Sequence, residues 1–229
     1  MKPWMTIAEA KLGNSTLTLR QREDEFMVLV DGRALMGSRQ HGSEQALAQT
    51  ACERLASVTP SVLVGGLGFG FTLRAALEVL PPHAEVVVAE LSPAMVEWNR
   101  GVLADLAGRP LEDPRVTLEV ADVNKVVKAK AERFDAIMLD VDNGPFAISQ
   151  TKNADLYDLV GLSYLLRALK PRGRLVVWSA GPDVRYQKRM EEAGFEVQVR
   201  STGKGRHVLF IGDKERKKSP KGGSGRRGR

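Results

Sequence analysis

Cys52 is the only cysteine among the 229 residues, which excludes a disulfide framework and a thiolate-bound zinc site. No stretch approaches the roughly 18 apolar residues that a membrane-spanning helix needs. The first residues, MKPWMTIAEAKLG, lack the apolar core of a secretion signal. The expectation is a cytoplasmic protein with no membrane contact and no metal. Most of the chain also lacks net charge. The overall +6 is matched by residues 212–229 alone, GDKERKKSPKGGSGRRGR, where eight basic residues accompany two acids. Residues 1–211 are therefore balanced. Nucleic acid is expected as a partner only through this basic tail, whose Gly/Ser/Lys/Arg composition cannot build a core.

What remains is ordinary for a globular chain: 43% hydrophobic and 27% charged residues. The length allows one large core, or one core with a small appended module. The pattern changes near residue 42. Before it, STLTLRQR and EFMVLVDGRALM read as short strands, punctuated by the turn pairs Gly13-Asn14 and Asp31-Gly32. Residues 1–41 are predicted to form an antiparallel β module too small to stand alone. It should pack on its neighbour or on a second subunit, and a homodimer through it is expected. SEQALAQTACERLA then reads as a helix, with Ser43 as N-cap and Ala46, Leu47, Thr50, Ala51 and Leu55 as its apolar stripe.

From Val62 strands and helices alternate. VLV precedes FTLRAALEVL; VVVAE precedes SPAMVEWNRGVL, with Ser92 as cap and Pro93 at the first helical position. RVTLEVAD leads to NKVVKAKA, FDAIMLDVD to LYDLVGLSYLLRALK, and RLVVWSA to VRYQKRMEEAG. FEVQVR and HVLFIG close the series as two strands around a Gly/Lys-rich turn. Five β–α units and a hairpin predict an open, mostly parallel sheet over residues 42–211, with helices on both faces.

The stretch VLVGGLGFGFTLRAAL places Gly65, Gly66, Gly68 and Gly70 between the first parallel strand and its helix. In such sheets ligands bind beyond the carboxyl ends of the strands, where strand order reverses. Glu90 ends the second parallel strand and Asp122 follows the third. A carboxylate at the first position accepts both hydroxyls of a ribose, and one at the second meets an adenine amino group. A nicotinamide dinucleotide fingerprint needs a third glycine, but Phe71 or Leu73 stands there. A phosphate-binding loop needs Gly-Lys-Ser/Thr, and no lysine follows the turn. S-adenosylmethionine or a derivative ranks above both.

These residues resemble the spermidine synthases, a family of Rossmann-like S-adenosylmethionine-dependent transferases. The resemblance runs from about Glu25 to Ala180. It includes VLVDG after a β module, the helix SEQALAQ, GGLGFGFTLRAAL, VVVAELSPAMV, Ala121-Asp122, FDAIMLDVDNGP and Leu156-Tyr157. It implies a class I methyltransferase fold with a seven-stranded sheet behind the β module. It also implies a co-substrate, decarboxylated S-adenosylmethionine or its parent, bound by Gly66, Gly68, Gly70, Glu90, Leu91, Asp122 and Asp140. By the same resemblance an aminopropyl group moves to an amine, putrescine in that family. The carbon attacked is already activated by a sulfonium, so positioning and water exclusion do most of the work. The amine, with a solution pKa of about 10, must lose a proton before it attacks. Asp140 matches the family residue that assists this step. Asp142, two positions on, is similar to a second acid that holds the cationic acceptor.

The chain also departs from that pattern. The family's acid in the glycine turn falls on Gly68 or Phe69, according to the end from which the turn is aligned. Its Tyr-His/Gln-Glu signature falls on Ser43-Glu44-Gln45, and a Gln of the β module falls near Leu35. Glu44 or His41 is an alternative source of acceptor contacts. The readings are, in order, aminopropyl transfer, methyl transfer from intact S-adenosylmethionine, and adenosyl binding without turnover.

Overall fold

The computed structural model describes residues 2–141, 154–202 and 207–215. Four strands open the chain: β1 (Met5–Leu12), β2 (Ser15–Arg22), β3 (Glu25–Val30) and β4 (Arg33–Gly37). They pair in chain order as an antiparallel meander. The sequence reading missed β1, whose weak apolar pattern puts only the small residues Ala8 and Ala10, with Leu12, against the module's core.

The second sheet has seven strands: β5 (Ser61–Gly65), β6 (Glu85–Glu90), β7 (Val116–Val120), β8 (Phe134–Leu139), β9 (Leu169–Ser179), β10 (Phe195–Thr202) and β11 (His207–Lys214). Their spatial order is β10-β11-β9-β8-β5-β6-β7. β5 to β9 are parallel, and β11 runs antiparallel between β9 and β10. The chain starts the sheet at β5, builds outward to β7, then returns to the other side of β5 with β8. The crevice between β5 and β8 is therefore the point of reversal.

Strand period two explains the layers. Val62 and Val64 face one cluster of buried side chains, while Leu63 faces the other. The first cluster takes in α1 (Gly42–Cys52), α2 (Phe71–Val79) and α3 (Pro93–Arg100). The second takes in α4 (Val123–Lys128), α5 (Ala154–Tyr157), α6 (Leu159–Ala168) and α7 (Val184–Glu192). A third cluster fastens the β module: Leu17, Leu19, Phe26 and Val28 meet Phe69, Met95 and Trp98. The module thus lies over the glycine turn and α3. No helix among the described residues is long and apolar enough to cross a membrane.

Several boundaries differ from the sequence reading. Ser43 does not cap α1; the N-cap is His41, whose ring stacks on Phe71 at 4.2 Å, and the helix begins at Gly42. Ser43 is then inside the first turn, and its hydroxyl donates to Glu44 Oε2 at 2.6 Å. The helix predicted across 156–170 breaks at Asp158, which caps α6 by accepting from Gly161 N at 2.7 Å. Only a glycine fits there, because a β-carbon at 161 would overlap the α5 carbonyls of Asp155 and Leu156. The basic tail was placed from residue 212, yet Gly212, Asp213 and Lys214 complete β11. Arg174, 3% exposed, holds Asp213 there through bonds of 2.7 and 2.9 Å and binds Glu53 at 2.7 Å.

Candidate functional site

The strands at and beside the reversal point end on one edge of the sheet. Gly65 closes β5, Glu90 closes β6, and Asp140 follows Leu139 at the end of β8. Asp122 follows β7 after one residue. These ends open into a cavity of about 960 Å³, roofed by the β module. Gly66, Gly68, Glu90, Leu91, Asp122 and Asp140 all line it, together with Asp31, Arg33, Leu35 and Met36 from the module. That volume lies at the upper end of ligand pockets, roughly 300–1,000 Å³.

The glycine turn is built for close approach. At Gly66, φ is +89°, and a β-carbon would overlap the Asp140 carbonyl. Gly68, at φ +51°, would meet only Met36 Sδ at 3.6 Å, so its bare face looks onto the cavity. Gly70 does not line the cavity. It is the left-handed N-cap of α2, beside Pro110 and Asn99.

Asn99 was missed in the sequence and is 4% exposed. Its Nδ2 donates to Gly68 O at 2.9 Å and to Met95 O at 2.8 Å, pinning the turn to α3. An amide among Met95, Val96 and Trp98 on a buried helix face was the available signal. Phe69 turns away from the cavity into the module's core, 5% exposed. The two positions where an acid was sought in the turn are thus an uncovered backbone and an apolar anchor.

Glu90 is oriented before any ligand arrives. Its Oε2 accepts from Leu67 N and its Oε1 from Ser92 N, both at 2.8 Å. Two backbone N–H groups thus fix the plane of this carboxylate. Asp122 Oδ1 accepts from Asn124 N at 2.8 Å and caps α4, so a capping role coexists with its place in the lining. Among apolar lining residues, Leu91 follows Glu90 and Val123 follows Asp122 in the chain, and Leu156 comes from α5. Two carboxylates, a bare backbone and apolar side chains thus share this part of the lining.

Asp140 has the most altered chemistry. Burial first, and the Glu44 carboxylate second, push its pKa up from 3.8 to about 7. The Thr72 hydroxyl, donating to Oδ2 at 2.9 Å, opposes that rise. A carboxylate with this pKa exchanges a proton near neutral pH, as a general base must. Thr72, 2% exposed in the first turn of α2, was read in the sequence only as a helix residue. Glu44 does not line the cavity and acts on Asp140 through charge. His41 stands apart, in a recess of about 280 Å³ shared with Phe71 and Arg74. Asp142 lies outside the described residues.

The fold and this cavity define a nucleotide-type ligand site of the Rossmann-like methyltransferase class. A model of the S-adenosyl-L-methionine-dependent methyltransferase family matches residues 98–213, and the chain belongs to that family. In sequence it is similar to the polyamine aminopropyltransferase of Korarchaeum cryptofilum, 30% identical over 54% of this chain and 36% of the relative. It is also similar to that of Mycobacterium tuberculosis, 28% identical over 72% of this chain and 31% of the relative. The chain thus spans about a third of the length of these curated relatives. In structure it is similar to the spermidine synthase of Thermotoga maritima, with TM-score 0.74, 19% identity, and coverage of 91% and 72% of the two chains. A spermidine synthase in complex with the transition-state analogue AdoDATO gives TM-score 0.73 at 18% identity, again over 91% of this chain and 72% of that one.

Proposed function

We propose that this chain transfers an aminopropyl group from decarboxylated S-adenosylmethionine to a small amine. The observation that carries the reading is Asp140, a carboxyl titrating near 7 in the same cavity as the pre-oriented Glu90. In this reading Glu90 accepts the ribose hydroxyls, Asp122 the adenine amino group, and Leu91 packs on the base. Gly66 and Gly68 leave the backbone uncovered beneath the ligand. The amine lone pair attacks the propyl carbon bound to sulfur. The carbon–sulfur bond breaks with its electron pair staying on sulfur, leaving neutral methylthioadenosine. Asp140 takes the proton the amine must lose, and Asp142 is proposed to hold the cationic end of the acceptor. The similarity to polyamine aminopropyltransferases supports this reading.

Methyl transfer from intact S-adenosylmethionine is the second reading. It is favoured by Gly68 and Phe69, which supply no acid for a donor amine, and by the matched family. Purified protein offered both donors with a panel of amines separates the two, by mass of the product. Tight methylthioadenosine binding without turnover on either donor would leave a binding protein only. We further propose a homodimer through the β module, supported by edge strand β1, whose Met5 and Ile7 are 64% and 37% exposed. Sedimentation of the intact chain tests it.

A further inference from the structure

The ionisable side chains lining the cavity are unequal in number and in how well they are occupied. Among the described lining residues they are Asp31, Glu90, Asp122 and Asp140 on one side of the charge balance, and Arg33 on the other. Every acid holds a donor already: Asp31 Oδ1 the Thr16 N–H at 2.8 Å, Glu90 those of Leu67 and Ser92, Asp122 that of Asn124, Asp140 the Thr72 hydroxyl. Arg33 is exposed and makes no hydrogen bond or ion pair with another described residue, although its charge is one of the influences that hold the Asp31 carboxyl below the usual range. It opens β4, register-paired with Val30 across the Asp31-Gly32 turn, so its backbone is fixed by the module's meander. Its neighbours in the lining, Ala34, Leu35 and Met36, are apolar.

A guanidinium in this position matters because of what surrounds it. A ligand carboxylate entering a cavity with acids at Glu90, Asp122 and Asp140 is repelled unless a cation receives it. The planar fork of an arginine matches a carboxylate with two parallel bonds. The glycine turn, with Gly68 bare and Phe69 buried in the module, offers nothing to a lone ammonium group. We propose that Arg33 receives a carboxylate on the molecule bound in this cavity, so that the site selects a carboxylate-bearing ligand. The carboxylate belongs either to the methionine arm of the donor or to an amino-acid-like acceptor amine. This inference rests on the adenosyl reading, and not on which group is transferred.

Calorimetry on the full chain tests it in two arms. The donor arm compares S-adenosylhomocysteine with its decarboxylated analogue. The acceptor arm, with methylthioadenosine bound, compares ornithine with putrescine, two diamines that differ by a carboxylate. The expected result is a preference of about tenfold or more for the carboxylate-bearing member in one arm. Arg33→Ala removes that preference, Arg33→Lys keeps part of it, and methylthioadenosine affinity stays unchanged in both variants. A preference in the donor arm assigns the carboxylate to the donor; one in the acceptor arm assigns it to the acceptor. Equal binding within both pairs, or a preference that survives Arg33→Ala, overturns the proposal. Absence of methylthioadenosine binding would remove the adenosyl reading and this inference together. Binding without carboxylate discrimination would remove this inference alone.

Discussion

The Thr72 hydroxyl donates to Asp140 Oδ2 at 2.9 Å, joining the first turn of α2 to the end of β8. These two residues are 68 positions apart and come together because β5 and β8 are hydrogen-bonded neighbours at the sheet's reversal point. The bond holds the carboxyl in one orientation while burial and Glu44 keep its proton affinity high.

Replacing Asp140 by Asn is expected to lower turnover by about 100-fold or more, the lower range for loss of a general base. Wild-type kcat/KM should rise with pH through about 7, where Asp140 loses its proton, and the variant should lack that limb. Near-normal turnover of the variant on a confirmed acceptor would remove Asp140 from the chemistry.

The same group links stability to pH. Its folded pKa, about 7, lies above the ordinary 3.8, so between these values the folded state binds more protons than the unfolded one. Its contribution therefore favours folding below about pH 4 and is lost as pH rises through about 7. Asp140→Asn should raise the apo protein's stability at pH 8 relative to wild type, on the order of a few kcal/mol, and much less at pH 4. Urea denaturation at the two pH values measures the difference; equal gains at both would contradict a raised pKa.

Glu90→Ala should weaken methylthioadenosine binding at least about tenfold, since charge-assisted bonds contribute roughly 1.5–3 kcal/mol each. Because Glu90 also holds the Leu67 and Ser92 N–H groups, the variant should lose some stability as well. Glu90→Gln keeps the shape and one acceptor oxygen, and should fall between the two in affinity. Unchanged affinity in a folded Glu90→Ala protein would dismiss the ribose contact.

The two glycines of the turn that line the cavity should behave differently. Gly66→Ala meets the Asp140 carbonyl and should impair folding itself. Gly68→Val has room in the protein but a left-handed backbone and a side chain in the cavity, so ligand affinity should collapse while a weakened fold persists. Thermal unfolding beside ligand titration separates these outcomes. Normal binding by Gly68→Val would make the turn purely structural.

Two C-terminal changes should also diverge. Deleting residues 216–229 removes seven basic residues and no acid, and should leave adenosyl binding intact. Any nucleic-acid retention by the full chain should vanish with it and weaken with salt. Asp213→Ala strips two bonds from the buried Arg174 guanidinium, which keeps Glu53 and the Thr50 carbonyl, and should cost roughly 1.5–3 kcal/mol. Denaturation midpoints of the two variants provide the comparison.

Local pattern was enough to place the sheet's strands, because Val62–Val64, Val86–Val88 and Ile137–Leu139 are apolar runs bounded by turn residues. The same alternation located Glu90, Asp122 and Asp140 at strand ends, where a parallel sheet gathers its ligands. Ser92 and Pro93 announced the start of α3 through chemistry confined to four residues. Tertiary contacts decided the rest. Ser43 reads as a cap, yet α1 starts two residues earlier, with His41 as its N-cap stacked on Phe71. Asp213 reads as tail until Arg174, 39 positions away, binds it into β11. The packing of Gly70 beside Asn99 and Pro110, as the left-handed cap of α2, was likewise not visible in the glycine spacing. The raised pKa of Asp140 has no local signature either, because its burial and the charge of Glu44 are properties of the packed chain. Periodicity is encoded between neighbours in sequence, whereas burial, charge proximity and the place of Arg33 in the lining of the same cavity as Glu90 and Asp140 exist only once distant segments meet.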